Sequence, residues 1–158
     1  MIIKAVQDNI FNTDAKHIAF AINTEGINDA GFAGTISRKY WNELAFCGYH
    51  DLGTILSKTV DDKTYHALVC HSLTNGWGGN QEELIKNCFD LIPSNGEEIA
   101  TIAIGTGLIG IASGADFRKI ICGMCDSNQK IILHSVYTIY AVRNCYNEEK
   151  GLTLKKQR

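Results

Sequence analysis

The sequence predicts an α/β domain, a mixed sheet covered by helices on both faces. Three observations carry that expectation. Ile18-Ala19-Phe20-Ala21-Ile22 and Ile99-Ala100-Thr101-Ile102-Ala103-Ile104 are nearly unbroken apolar runs of strand length, as central strands buried on both faces are. Amphipathic segments of helical period alternate with strand-like ones. Two glycine clusters, at 23–34 and 105–110, each follow one of the apolar runs, so glycine-rich loops leave the ends of two central strands.

Taken in order, Ile2-Ile3-Lys4-Ala5-Val6 reads as a first strand and residues 18–23 as the second. From 34 to about 46, Ile36, Tyr40, Trp41 and Leu44 share one side while Arg38, Lys39 and Glu43 lie elsewhere, which predicts an amphipathic helix directly after the first glycine cluster. Residues 54–60 and 64–71 are strand-like around the turn composition Asp61-Asp62-Lys63, so a hairpin is expected. A second helix is expected at 81–91, with Leu84, Ile85, Cys88 and Phe89 inward and Pro93-Ser94-Asn95-Gly96 closing it. A strand at 98–104, a third helix at about 115–124 and a final strand at 130–136 follow. Asp116 near the start of that helix suits its dipole. Residues 138–158 are more polar, contain one expected short helix, and end in the basic Lys155-Lys156-Gln157-Arg158.

A chain of 158 residues suits one domain whose core stands without staples. Hydrophobic content of 45% and charged content of 20% exclude disorder. A formal net charge of -2 argues against a duplex nucleic-acid binder, which needs a basic face to displace counterions. The opening Met1-Ile2-Ile3-Lys4 is too short for a secretory signal, and no apolar stretch is long enough to span a membrane. The six scattered cysteines then read as free thiols of a soluble cytoplasmic protein. Cys122 and Cys125 have metal or redox spacing, but a lone pair supplies only two of zinc's usual four ligands, so no metal or cofactor is expected.

Glycine lets a ligand approach main-chain N–H groups closely. Two such loops at the carboxyl ends of strands predict a crevice of backbone donors suited to phosphate. Neither loop is a mononucleotide fingerprint. There is no G-x-x-x-x-G-K-[ST]. Gly105-Thr106-Gly107-Leu108-Ile109-Gly110 does spell G-x-G-x-x-G, but a dinucleotide fold would place it after the first strand.

The order of motifs instead resembles the macro domain, nearest the branch of terminal ADP-ribose glycohydrolases and ADP-ribose-1″-phosphate phosphatases. The family's opening G-D-[IL]-[TF] turn corresponds to Asp8-Asn9-Ile10-Phe11, and the Asn that ends its second strand to Asn23. The branch's G-A-G-I-A corresponds to Asp29-Ala30-Gly31-Phe32-Ala33, with the first glycine replaced. The late [SG]-T-G-[IL]-x-G loop is matched in full by residues 105–110. The resemblance covers residues 1–137 and leaves 138–158 as an extension. It implies a three-layer α/β/α fold with a central mixed sheet, and a pocket for ADP-ribose or a derivative, free or attached to a macromolecule.

In that pocket Asp8 or Asn9 would accept from the adenine amine, with the Ile10 N–H reaching another adenine atom. The two glycine loops, through Ala30, Gly31, Phe32, Gly105, Thr106, Gly107, Leu108, Ile109 and Gly110, would pinch the diphosphate. Asn23 would reach the distal ribose, and His134 or Tyr137 would lie over the adenine. Phe11 and Trp77 read as core residues and are assigned no role.

The family's reactive groups do not carry over. Ala33 stands where some relatives place an acidic residue, His71 where the branch places a lysine, and Ile109 where it places an aspartate. Without those groups the known glycohydrolase mechanisms lack the carboxylate that activates water or attacks the anomeric carbon. His71 and Asp29 are the remaining candidates for catalysis, with ADP-ribose-1″-phosphate as the substrate they fit. Binding of ADP-ribose is therefore the primary expectation. Hydrolysis, or non-catalytic sequestration of another nucleotide signal, are the alternatives.

Overall fold

The computed structural model describes residues 1–152. Six strands form one sheet: β1 (Ile2–Val6), β2 (His17–Asn23), β3 (Ile55–Val60), β4 (Lys63–His71), β5 (Glu98–Ile102) and β6 (Lys130–His134). Their order is β1-β6-β5-β2-β4-β3, and every neighbouring pair is parallel except β3 with β4. That exception is the expected hairpin, turned through Asp61 at φ 57°. The helices are α1 (Gly31–Tyr40), α2 (Gln81–Asp90), α3 (Leu108–Ala112), α4 (Phe117–Asp126) and α5 (Ile139–Glu149). Among the described residues no helix is long and apolar enough to cross a membrane.

Side-chain alternation along the strands divides the core into two layers. Ile18, Phe20 and Ile22 of β2 join Tyr65, Ala67 and Val69 of β4 against Ile36 of α1. Ala19, Leu68 and Cys70 face the other way, into a cluster with Ile85 and Phe89 of α2 and with Ile120 and Met124 of α4. Burial on both faces is why these strands carry unbroken apolar runs. The result is the expected α/β/α arrangement with a mixed sheet.

Several boundaries differ from the sequence reading. The first helix starts at Gly31 rather than 34 and stops at Tyr40, because the Trp41 N–H turns back to the carbonyls of Ile36 and Ser37. A 3-10 turn, Asn42–Ala45, follows and still buries Leu44, so the helical spacing was read through a break. The strands expected to reach 104 and 136 end at Ile102 and His134. Asp116 lies just outside α4 as its N-cap, accepting from the Arg118 N–H at 3.1 Å. The polar region after 137 forms α5, whose Val142 is buried in the core and whose Glu148 and Glu149 pair with Arg118. The basic tail at 155–158 lies outside the described residues.

At the amino edge of the sheet four side chains form a hydrogen-bonded chain. Ser57 Oγ lies 2.7 Å from His66 Nδ1, His66 Nε2 2.9 Å from His17 Nδ1, and His17 Nε2 3.1 Å from Glu97. One proton arrangement satisfies every link with both rings neutral: each group donates toward Glu97. Burial, followed by the neighbouring His17, lowers the His66 pKa to about 4.

Candidate functional site

Because β1, β6, β5, β2 and β4 are parallel, their carboxyl ends open on one edge of the sheet. A cavity of about 530 Å³ lies there, a volume usual for a small-molecule site. The loop after β2 lines it with Asn23, Asp29, Ala30, Gly31 and Phe32, and the loop after β5 with Gly105, Gly107, Leu108, Ile109 and Gly110. His71 and Trp77 line it from the end of β4 and the turn beyond. Asp29 is the only charged residue among the described lining residues, so no lysine or arginine supplies positive charge.

The first loop is built on Asn23. Its amide donates to the Ile27 carbonyl at 2.7 Å and accepts from the Ile27 N–H at 3.0 Å. Asn23 thus shapes the loop and also lines the cavity. Asn28 ties the loop down through the Asn23 N–H and the Leu44 carbonyl. The second loop folds onto itself. Gly105 has φ 88°, and a Cβ on Gly110 would come 2.8 Å from the Gly105 Cα, so both positions need glycine. Gly107 differs, with φ -74° and open space where a Cβ would stand.

The helix starts divide sharply. Asn80, Asp116 and Thr138 cap α2, α4 and α5 with side-chain oxygens. The N-caps of α1 and α3, Ala30 and Gly107, make no side-chain cap bond, and both line the cavity. First-turn N–H groups have no partner within a helix, so two uncapped starts bring orphan donors to one space. Sequence reading placed residues 108–112 in a loop; the structure adds a short helix there.

The other candidates lie further along the edge, toward β1 and β6. His134 Nδ1 is 2.9 Å from the Asp8 carbonyl oxygen, so Nδ1 carries the proton and donates. Asn9 caps the 3-10 turn Ile10–Asn12 by accepting from the Phe11 N–H, and the Ile10 side chain is buried. Asp8, Asn9, Ile10 and His134 are thus gathered together beside the cavity, not in its lining. Thr106 likewise falls outside the lining, its hydroxyl donating to the Ala103 carbonyl. Asp29 and His71 both line the cavity, and no hydrogen bond joins them among the described residues.

Two residues were missed. Trp77 is buried as expected for core, yet it lines the cavity and stacks on His71 with ring centroids 5.3 Å apart. Its setting in Asn75-Gly76-Trp77-Gly78-Gly79, a large ring between glycines, was the available signal. Glu25, inside the first glycine cluster, accepts from the Leu73 N–H and the Ser72 hydroxyl, which pull its pKa down to about 2. Burial lowers the His71 pKa, with the Glu25 carboxylate opposing, so His71 is neutral near pH 7. By contrast Cys122 and Cys125 are thiols that burial pushes up to about 12 and about 11, as inert core cysteines are.

No protein-family model matches the chain. No curated protein matches it in sequence. Solved structures do match in fold. The macrodomain of Mycobacterium tuberculosis DarG superposes with a TM-score of 0.64 at 13% identity, covering 87% of this chain and 99% of that one. An Oceanobacillus iheyensis macrodomain variant solved with ADPR gives 0.63 at 17% identity, covering 96% and 93%. A structure titled Alphavirus P23pro-zbd gives 0.62 at 14% identity over 98% of this chain, which spans 24% of that longer protein. The chain has the macrodomain fold.

Proposed function

We propose that this protein binds ADP-ribose or an ADP-ribosyl derivative in the cavity at the carboxyl edge of its sheet. The observation that carries the reading is the pair of uncapped helix starts, α1 and α3, facing one space that no lysine or arginine among the described residues lines. Backbone N–H groups alone suit a diphosphate held by dipoles rather than by side-chain charge. Strand order then sets a direction. The Asp8–His134 end would take the adenine, the two glycine loops the diphosphate, and the β2–β4 end the distal ribose. The O. iheyensis macrodomain solved with ADPR shares the fold, which supports this choice among nucleotides.

Binding rather than turnover is the primary reading. Ala33 is buried and Ile109 carries no reactive group, so no carboxylate stands at either position. Among the described residues His71 has no hydrogen-bond partner to fix its tautomer, as a general base or nucleophile requires. If hydrolysis occurs, we take His71 and Asp29, which share the cavity lining, as the residues that carry it, with ADP-ribose-1″-phosphate as substrate. The six unpaired cysteines suit a reducing compartment, and on that ground we place the protein in the cytoplasm.

The test is a thermal-shift and calorimetric panel of ADP-ribose, AMP, NAD and ADP-ribose-1″-phosphate. ADP-ribose should bind in the micromolar range or tighter, about -8 kcal/mol, and AMP far more weakly. No thermal shift at millimolar ADP-ribose would overturn the reading, since ligand in excess of Kd must stabilise the fold.

A further inference from the structure

Three buried polar atoms at the β4 end of the cavity lack partners. Trp77 Nε1 and both ring nitrogens of His71 make no hydrogen bond among the described residues. Trp77 is 3% exposed and His71 6%. The rings lie nearly parallel, at 18°, so neither N–H is directed at the other ring. Folded proteins pair nearly all such groups, and an exception at a cavity wall points to a contact completed by a ligand. The neutral His71 ring offers one N–H and one lone pair, and the Trp77 indole offers one N–H.

Charge narrows what they can hold. Glu25 is ionised and held against the two residues that follow His71, by the Ser72 hydroxyl and the Leu73 N–H, and among the described residues no lysine or arginine lines the cavity. A phosphate dianion at this end would meet a fixed negative charge without a compensating cation. An uncharged carbonyl oxygen accepts from the same donors without that opposition. Position narrows it further. In the order β1-β6-β5-β2-β4, this end is furthest from Asp8 and His134.

Resting on the ADP-ribose reading, we propose that Trp77 and His71 form a specificity subsite that hydrogen-bonds an amide carbonyl carried on the distal ribose, in preference to a phosphate. The nitrogens are closed to solvent as the rings stand. The proposed contact therefore requires the rings to turn toward the cavity, which the indole signal below reads.

The experiment titrates the full chain and its Trp77→Phe variant with ADP-ribose, NAD and ADP-ribose-1″-phosphate. NAD is the amide probe, through its carboxamide. In the wild type NAD should bind at least as tightly as ADP-ribose, and the 1″-phosphate about tenfold more weakly. Trp77→Phe should weaken NAD about tenfold more than it weakens ADP-ribose, the carbonyl having lost its donor. The wild type alone gives a second readout. It has two indole N–H signals, from Trp41 and Trp77, and the Trp77 signal should move downfield with NAD while that of Trp41 stays. Tightest binding of the 1″-phosphate, or an indole signal and a variant affinity both indifferent to NAD, would overturn the subsite. Binding of ADP-ribose with NAD excluded sinks the subsite alone. Failure of ADP-ribose to bind removes the underlying reading as well.

Discussion

Gly107→Val separates the cavity from the fold. Gly107 has φ -74° and ψ 166°, extended backbone that any residue adopts, and a Cβ there meets nothing within 4 Å. Valine should therefore change folding stability by no more than about 1 kcal/mol. The same position lines the cavity at the start of α3, so a branched side chain covers the first-turn N–H groups. Losing two such contacts, at about 0.5–1.5 kcal/mol each, weakens ADP-ribose by about 5- to 150-fold before any steric exclusion. At a ligand concentration of about 100 Kd the wild type gains about 2.7 kcal/mol of stability. A variant bound 100-fold more weakly gains only about 0.4 kcal/mol at that concentration. Calorimetric titration beside far-ultraviolet circular dichroism and a thermal melt reads all three quantities. Gly105→Val is the contrast, since φ 88° and Ile120 Cδ1 at 2.6 Å make it a folding defect. Wild-type affinity in a folded Gly107→Val protein would refute the backbone-cradle argument.

Other outcomes follow from named contacts. Asn23→Ala removes both bonds to Ile27 in a buried setting, so urea unfolding should show a loss of about 1–3 kcal/mol, and unchanged stability would mean the loop is held elsewhere. His66 binds its proton more weakly folded than unfolded, so its contribution is complete above about pH 6.5 and is lost as pH falls toward about 4. For a side chain 0% exposed this amounts to about 3 kcal/mol at most. Melting temperature against pH should flatten over that window in His66→Gln, and equal slopes would refute the assignment. Release of ADP-ribose from a glutamate-linked substrate should be slow or absent, because loss of a general acid or base costs about 10²- to 10⁴-fold. Rapid release that survives His71→Ala would require a mechanism outside these residues.

The sheet was legible because its strands are buried on both faces: Ile18 to Ile22 and Ile99 to Ile102 can be little else. The glycine loops were legible because Gly105 and Gly110 stand where any side chain collides. Local features failed where tertiary contacts decide. The 3-10 turn at Asn42–Ala45 keeps Leu44 inward just as a helix would, so spacing could not distinguish them. The five-residue α3 is too short for a periodic signal. Trp77 reads as core because it is core by burial; its place in the cavity lining depends on how the turn after β4 folds, for which the flanking glycines are the only hint in the sequence.

The position of β6 bears on how the chain assembles during synthesis. β1 is an edge strand whose sheet partner is β6, and their register pairs Ile2 with Ile131 and Val6 with His134. β1 precedes β6 in the chain and therefore waits for it during synthesis. At about 5–20 residues per second that interval is on the order of ten seconds. Throughout it, Ile2–Val6 presents unpaired backbone groups in a strand-forming sequence, the condition under which chains join edge to edge. A nascent chain arrested before β6 should bind a chaperone or a second copy through this segment, and one released after it should not.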